Sequence, residues 1–320
     1  MSIYRGIAAA AIGLAFSMGA LAGGYPERPI RMVVPFPAGS ITDVVARALA
    51  EPMSQDLGQP FVIDNKPGAN GIIGTQQAAQ AKADGYTIVI VGVTTAASNV
   101  SLFKKLPYDP VKDLQPLGGV AETPYLLVGS PDAPGKRVGD VFSYARQNPG
   151  KLTYGYGSGS AQVFGAKLAH MGKSDITQVP YKGGPQALTD VMGGIVKLTF
   201  TDFANGLQQA RAGKVKVYGV STRERFPLAA DIPTLNESGA PGFDLTVWFG
   251  LMAPAGLPDD VARRLSASLD KALSSDELVR RFAAQGLTPK RQPAPDFGAF
   301  VKAEIGKWAA IVKEAGITPE

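Results

Sequence analysis

The chain has 320 residues, 45% of them apolar and 18% charged, with one histidine and no cysteine; 32 Lys and Arg against 27 Asp and Glu give a net charge of +5. That balance excludes a disordered or fibrous chain. The missing cysteines exclude disulfides, thiol nucleophiles and a lipoprotein anchor. The lone His170 excludes a multi-histidine metal site. Basic residues are scattered, so the footprint of a nucleic-acid binder is absent.

Residues 1–22 read as an export signal. Arg5 gives a basic start, 7–21 is an apolar stretch, and Ala20-Leu21-Ala22 is an A-x-A cleavage pattern. The stretch is short for a bilayer core of about 30 Å. The expected mature protein is periplasmic.

The mature chain alternates strand-like and helix-like segments. Residues 30–34 read as a buried strand and 42–57 as a helix with Val45, Leu49, Met53 and Leu57 on one stripe. Pro52 should kink or weaken it. A short strand at 61–63, a helix at 71–83 and a strand at 86–91 follow. Apolar strands separated by helices predict a parallel sheet covered on both faces. A second series has strands at 125–128, 152–154, 177–179, 196–200 and 215–220. Its helices fall at 138–147, 161–171, 185–192 and 204–212. Then come a strand at 245–252 and helices at 259–273, 276–285 and 295–315. The last carries Phe297, Phe300, Val301, Ile305, Trp308 and Val312 at helical spacing, a core-facing stripe. The expected fold class is α/β, with two α/β lobes: 23–124 plus 246–320, and 125–245. Two chain crossings, near Pro124 and Leu245, make a hinge, and a ligand belongs in the cleft between the lobes.

The chemistry concentrates where strands end and helices begin. In Pro35-Phe36-Pro37-Ala38-Gly39-Ser40-Ile41-Thr42-Asp43 a helix start offers unpaired N–H groups to an anion. Gly39 permits close backbone approach. Ser40 also reads as a cap, with Asp43 completing a capping-box-like pair and more structural than ligating. Tyr154-Gly-Tyr-Gly-Ser158-Gly159-Ser160 is a second such turn. It fails the G-x-G-x-x-G spacing in both frames, and Gly172-Lys173-Ser174 lacks the first P-loop glycine. A nucleotide is therefore not expected, nor any cofactor or metal. Tyr181 offers a hydroxyl and Lys182 a charge, against the plainer reading of a surface lysine beside a half-buried tyrosine. Asp202 reads as a helix cap or a polar group at the cleft floor. Thr94 and Thr95 follow an apolar strand and belong to the same crevice. No G-x-S-x-G elbow accompanies His170, so a periplasmic hydrolase is the distant reading.

The start Tyr25-Pro-Glu-Arg-Pro-Ile, then Val34-Pro-Phe-Pro-Ala-Gly and Thr42-Asp43, resemble the Bug family, the substrate-binding proteins of tripartite tricarboxylate transporters. The likeness continues through Asn65-Lys-Pro-Gly-Ala, Asp84-Gly-Tyr-Thr, Lys105-Leu-Pro-Tyr-Asp-Pro, Asn148-Pro-Gly-Lys-Leu, Val179-Pro-Tyr-Lys-Gly, Ala187-Leu-Thr-Asp and Trp248-Phe-Gly-Leu. The resemblance implies a periplasmic-binding-protein-like fold that closes on a small organic carboxylate without catalysis. It implies a large and a small integral-membrane partner, and the default oligomeric state is a monomer. It places the common carboxylate contact on Phe36, Ala38, Gly39, Ser40 and Thr42 with Thr94 and Thr95. Ligand-specific contacts fall on Tyr154, Ser158, Gly159, Ser160, Tyr181, Lys182 and Asp202. A receptor feeding a sensor rather than uptake is the alternative. Two departures, Ser40-Ile41 for the usual Gly and small residue, and Tyr156 with Gln162-Val163 where a histidine tends to fall, predict a pocket for an aromatic or less polar acid.

Overall fold

A computed structural model describes residues 24–320, and the expected export signal at 1–22 lies outside the described residues. Among them no helix is long and apolar enough to cross a membrane.

The first series runs β1 (Ile30–Val34), α1 (Ile41–Leu57), β2 (Phe61–Asn65), α2 (Ile72–Ala79), β3 (Thr87–Gly92), α3 (Asn99–Leu102) and β4 (Leu114–Thr123). The second runs β5 (Tyr125–Gly129), α4 (Val138–Gln147), β6 (Leu152–Tyr156), α5 (Gly159–Met171), β7 (Ile176–Pro180), α6 (Gly184–Met192), β8 (Leu198–Asp202), α7 (Phe203–Arg211), β9 (Lys216–Val220) and α8 (Leu235–Ser238). The chain then returns through β10 (Val247–Pro254), α9 (Asp259–Leu273), α10 (Asp276–Ala284), β11 (Thr288–Pro293) and α11 (Ala294–Glu314).

Two sheets result, in the orders β11-β4-β10-β3-β1-β2 and β7-β6-β8-β5-β9. They form two α/β lobes. The expected parallel sheet is present in half of each. β1 pairs parallel with β2 and β3, and β6 with β7 and β8. β10 instead runs antiparallel to β3 and β4, and β5 antiparallel to β8 and β9. These reversals belong to the strands that begin or end a crossing. A chain that leaves one sheet for the other in a single residue, Pro124, enters the new sheet without a crossover helix to turn it parallel.

β4 and β11 are absent from the sequence reading. β4 carries Pro116 and the pair Gly118-Gly119, and its register against β10 shifts twice. A Cβ on Gly119 would sit 2.9 Å from both the Gln292 Oε1 and the Lys290 carbonyl oxygen, so the glycines let β11 approach. β11 is polar, holds two prolines and lies at the sheet edge, where a missing N–H costs no ladder bond. α1 continues through Pro52, and α2 ends at Ala79 instead of 83.

The predicted stripes are buried: Val45, Leu49, Met53 and Leu57 of α1, and Phe297, Val301, Trp308 and Val312 of α11. α11 also joins the two lobes. Its Trp308 stacks on Phe164 of α5 with ring centroids 6.0 Å apart, and Lys167 of α5 pairs with Glu314 at 2.8 Å. Buried Glu304 accepts from the indoles of Trp248 at 2.7 Å and Trp308 at 3.0 Å.

Both passages between the sheets meet at Ser221, which is fully buried. Its hydroxyl accepts from Tyr125 N at 2.9 Å and donates to Leu245 O at 2.7 Å. Its own N–H reaches Tyr125 O, and Leu245 N–H reaches its carbonyl, each at 2.9 Å. Ser221→Ala should leave an amide and a carbonyl unpaired in a dry place and lower stability by about 2–3 kcal/mol. Urea denaturation measures this, and a loss under about 0.5 kcal/mol, the ordinary scale of a surface change, would show that the clasp carries no stability.

Candidate functional site: a cleft of helix starts and hydroxyls

A cleft of about 580 Å³, its open mouth included, lies between the lobes. Its walls come from the starts of α1, α5 and α6, the ends of β3 and β8, the start of β5, and β10. Strand ends and helix starts converge there because the parallel halves of both sheets point their carboxyl ends at it.

Ser40 caps α1, its Oγ accepting from Asp43 N at 3.3 Å. The turn before it needs a glycine: Gly39 has φ +78°. Asp43 then ties the turn down. Its carboxylate accepts from Gly39 N at 3.0 Å, Arg47 Nε at 2.9 Å and Asn65 Nδ2 at 2.9 Å. Burial pushes this carboxyl up, and the hydrogen bonds from Arg47, Gly39 and Asn65 outweigh it and hold the pKa below the ordinary 3.8. Asp43 is thus structural, and the Gly39 amide is spent on it. Ser40, Ile41 and Thr42 line the cleft, and as first-turn residues Ile41 and Thr42 carry N–H groups without an intrahelical partner. Phe36 lines it too, while Ala38 and Gly39 stand exposed at the loop tip outside it.

Thr94 faces the cleft and crosses it. Its Oγ1 donates to Ser160 Oγ and accepts from Ser160 N, both at 3.1 Å. Thr95 does not reach the cleft. It is fully buried, and its hydroxyl and carbonyl are taken by Gly92 N and the Tyr108 hydroxyl. From the second lobe, Ser158 and Ser160 line the cleft, with Ser158 capping α5. Gly159 packs against the first lobe: a Cβ there would lie 2.8 Å from Leu102. Gly183 comes as close to the opposite loop, its Cβ position 2.8 Å from Pro37 Cγ.

Three expected contacts lie elsewhere. Tyr154 is a core residue, its hydroxyl donating to Ala161 O at 2.6 Å. The Tyr181 hydroxyl donates to Asp190 at 2.7 Å, and burial with that hydrogen bond pushes its pKa up to about 12. Lys182 is an exposed surface lysine. Tyr156 and Gln162 line an outer groove with His170, and Val163 is in the core, so none of these shapes the cleft. The aromatic wall comes from Phe36, Tyr125, Phe200 and Phe249.

Asp202 answers both readings. It caps α7, accepting from Asn205 N at 3.1 Å and Asn205 Nδ2 at 2.9 Å, and it lines the cleft. Burial raises its pKa, and the Asn205 bonds offset this only in part. Among the described residues no Lys, Arg or His lines the cleft. The donors it offers an anion are hydroxyls and helix-start amides.

Asp43→Asn should cost about 1–3 kcal/mol at pH 7 by weakening hydrogen bonds to a buried charge. A carboxyl with a lowered folded pKa stabilises above its unfolded value and loses that contribution as pH falls through the folded one. The gap between variant and wild type should therefore be constant above about pH 5 and shrink below the ordinary 3.8. Chemical denaturation across pH measures it; a gap independent of pH would refute the charge-based role.

Comparison with known proteins identifies the family. Residues 45–317 match the family described as tripartite tricarboxylate transporter family receptor, TctC. BugT of Bordetella pertussis is 34% identical over 295 residues, covering 91% of this chain and 90% of BugT. The periplasmic binding protein BugD superposes with a TM-score of 0.88 at 35% identity, covering 92% of this chain and all of BugD. An R. palustris protein whose structure carries adipate does so with a TM-score of 0.89 at 34% identity, covering 92% of this chain and all of that one. With its two-lobed fold and this family match over most of its length, the chain belongs to the Bug family of tripartite tricarboxylate transporter receptors.

Proposed function

We propose that the protein is a periplasmic receptor that captures a small organic carboxylate in the interlobe cleft and delivers it to the large and small membrane subunits of a tripartite tricarboxylate transporter. The lobes are taken as 24–124 plus 246–320 and 125–245. The observation that carries the reading is an interlobe cleft lined by neutral donors. Helix starts supply positive partial charge, each favouring an anion by about 0.3–1 kcal/mol. Thr42, 6% exposed, adds a hydroxyl with no hydrogen-bond partner among the described residues, and Thr94, Ser158 and Ser160 add hydroxyls that bond one another. Adipate in the R. palustris relative is a ligand of the same chemical class.

The function is binding without catalysis. His170, the one histidine, sits in the outer groove and cannot serve as base to the cleft serines. Closure follows from preference. A ligand touching both Thr42 and Ser158 binds the closed form better and shifts the population toward it. The four aromatic rings favour a ligand with a flat or apolar body.

A thermal-shift screen of mono-, di-, tri- and aromatic carboxylates, with sugars as controls, tests the reading. A ligand at a hundred times its Kd should add about 2.7 kcal/mol of stability. Thr42→Val should then weaken the best acid about tenfold, or about 1.4 kcal/mol, in titration calorimetry. Stabilisation by sugars and by no acid would overturn the proposal.

A further inference from the structure

Tyr125, which the sequence offers only as the start of a strand, sits in the cleft wall. As the first residue of β5 it pairs with Asp202, the last of β8, in the antiparallel ladder. Directly opposed residues project from the same sheet face, and both of these line the cleft. Each is only 8% exposed. The Tyr125 hydroxyl has no hydrogen-bond partner among the described residues, although the two other tyrosines of this lobe's core, Tyr154 and Tyr218, spend theirs on carbonyls. Each Asp202 oxygen accepts one hydrogen from Asn205, the Thr201 hydroxyl and the residue's own amide also favour the carboxylate, and its roughly four lone-pair sites leave room for a further donor. They are the only titratable residues that line the cleft.

Resting on the receptor reading above, we infer that Tyr125 and Asp202 form a ligand-sorting pair: the phenol donates to, and the carboxylate accepts from, the ligand end remote from α1. The preferred class is then a monocarboxylate whose far end carries a hydroxyl, which can accept from Tyr125 and donate to Asp202 at once. A doubly ionised diacid is disfavoured. Its second carboxylate would stand beside Asp202 with no cation lining the cleft, and like charges in a desolvated site oppose each other. Burial, then the Asp202 charge, pushes the Tyr125 pKa up, so the phenol remains a donor at any physiological pH.

Two variants separate sorting from folding. Tyr125→Phe removes a hydroxyl that the protein does not use. Asp202→Asn keeps the α7 cap, since Asn caps as well as Asp, and gives the site an amide that can donate to a carboxylate. After unfolding and refolding to remove retained ligand, calorimetry at pH 8 compares 6-hydroxyhexanoate with adipate and 4-hydroxybenzoate with terephthalate. In the wild type the hydroxy acid of the better-binding pair should be at least tenfold tighter. Tyr125→Phe should weaken it at least fivefold with an unchanged melting temperature. Asp202→Asn should move the ratio at least tenfold toward the diacid. A wild type that binds the diacid more tightly at pH 8, or a ratio that Asp202→Asn leaves unchanged, overturns the sorting pair while the receptor reading stands. Binding of a tricarboxylate alone overturns the sorting pair, and no binding of any mono-, di-, tri- or aromatic carboxylate overturns both.

Discussion

The buried hydroxyl of Ser221 holds together the two places where the chain changes sheets. It accepts from Tyr125 and donates to Leu245, and the backbone bonds around it make the three segments one unit. Cleft geometry follows from this joint. Tyr125 begins the strand that leaves the joint in one direction, and Val247 and Phe249 lie just beyond it in the other; all three line the cleft. An outgoing and a returning strand pinned at one atom can rotate about it more easily than they can separate. A buried polar atom with both of its capacities filled is a stable pivot, because any alternative leaves desolvated groups unpaired.

The second restraint is α11. Its residues build the core under the first sheet, and its Trp308 lies flat on Phe164 of the other lobe. Phe164 in turn meets Phe200 and Phe243 edge-on. The aromatic core therefore continues across the lobe boundary behind the cleft. Pulling the lobes apart here would expose several large rings, each contributing about 1.5–3 kcal/mol when buried. The front differs. Thr94 with Ser160, and Pro37 against Gly183, are small polar or single-atom contacts. The large apolar contact therefore lies behind the cleft, and the small contacts lie at its mouth.

How far this was legible in the sequence depends on which part of the physics is local. Helix starts are local. A strand, a small-residue turn and a capping serine announce themselves, and the turns at 36–42 and 157–160 do meet across the cleft. Pro124 as a crossing was legible because a second series of strand-like and helix-like segments begins just after it. Side-chain direction is not local. Tyr154 and Tyr181 sit beside cleft turns, yet tertiary partners, the Ala161 carbonyl and Asp190, take their hydroxyls. Tyr125 is the reverse case. In sequence it is one residue of an apolar run, and only the antiparallel register sets it opposite Asp202 in the cleft wall. β4 and β11 escaped because Pro and Gly, which ordinarily argue against a strand, serve here as spacers for close sheet packing and as a guarded edge.

In the proposed receptor, the lack of a cationic side chain among the described residues lining the cleft would serve release as much as recognition. A lysine or arginine buried there would have to be desolvated before each ligand arrived, and once paired it would resist separation, since breaking a buried pair strands a charge. Hydroxyls and helix amides carry only partial charges and remain partly satisfied when the ligand leaves. Thr94 and Ser160 can bond each other, as they do here. Such weak donors must be aimed well to hold an anion at all. That places the burden on the turn at Gly39, which is held by a carboxylate outside the cleft. Asp43 binds the turn, the Asn65 amide and Arg47 together, so the charged chemistry of the site lies one layer behind it. The cleft itself stays neutral apart from Asp202. In the proposed ligand pose, the one fixed negative group would read the far end of a ligand without touching the end held at α1.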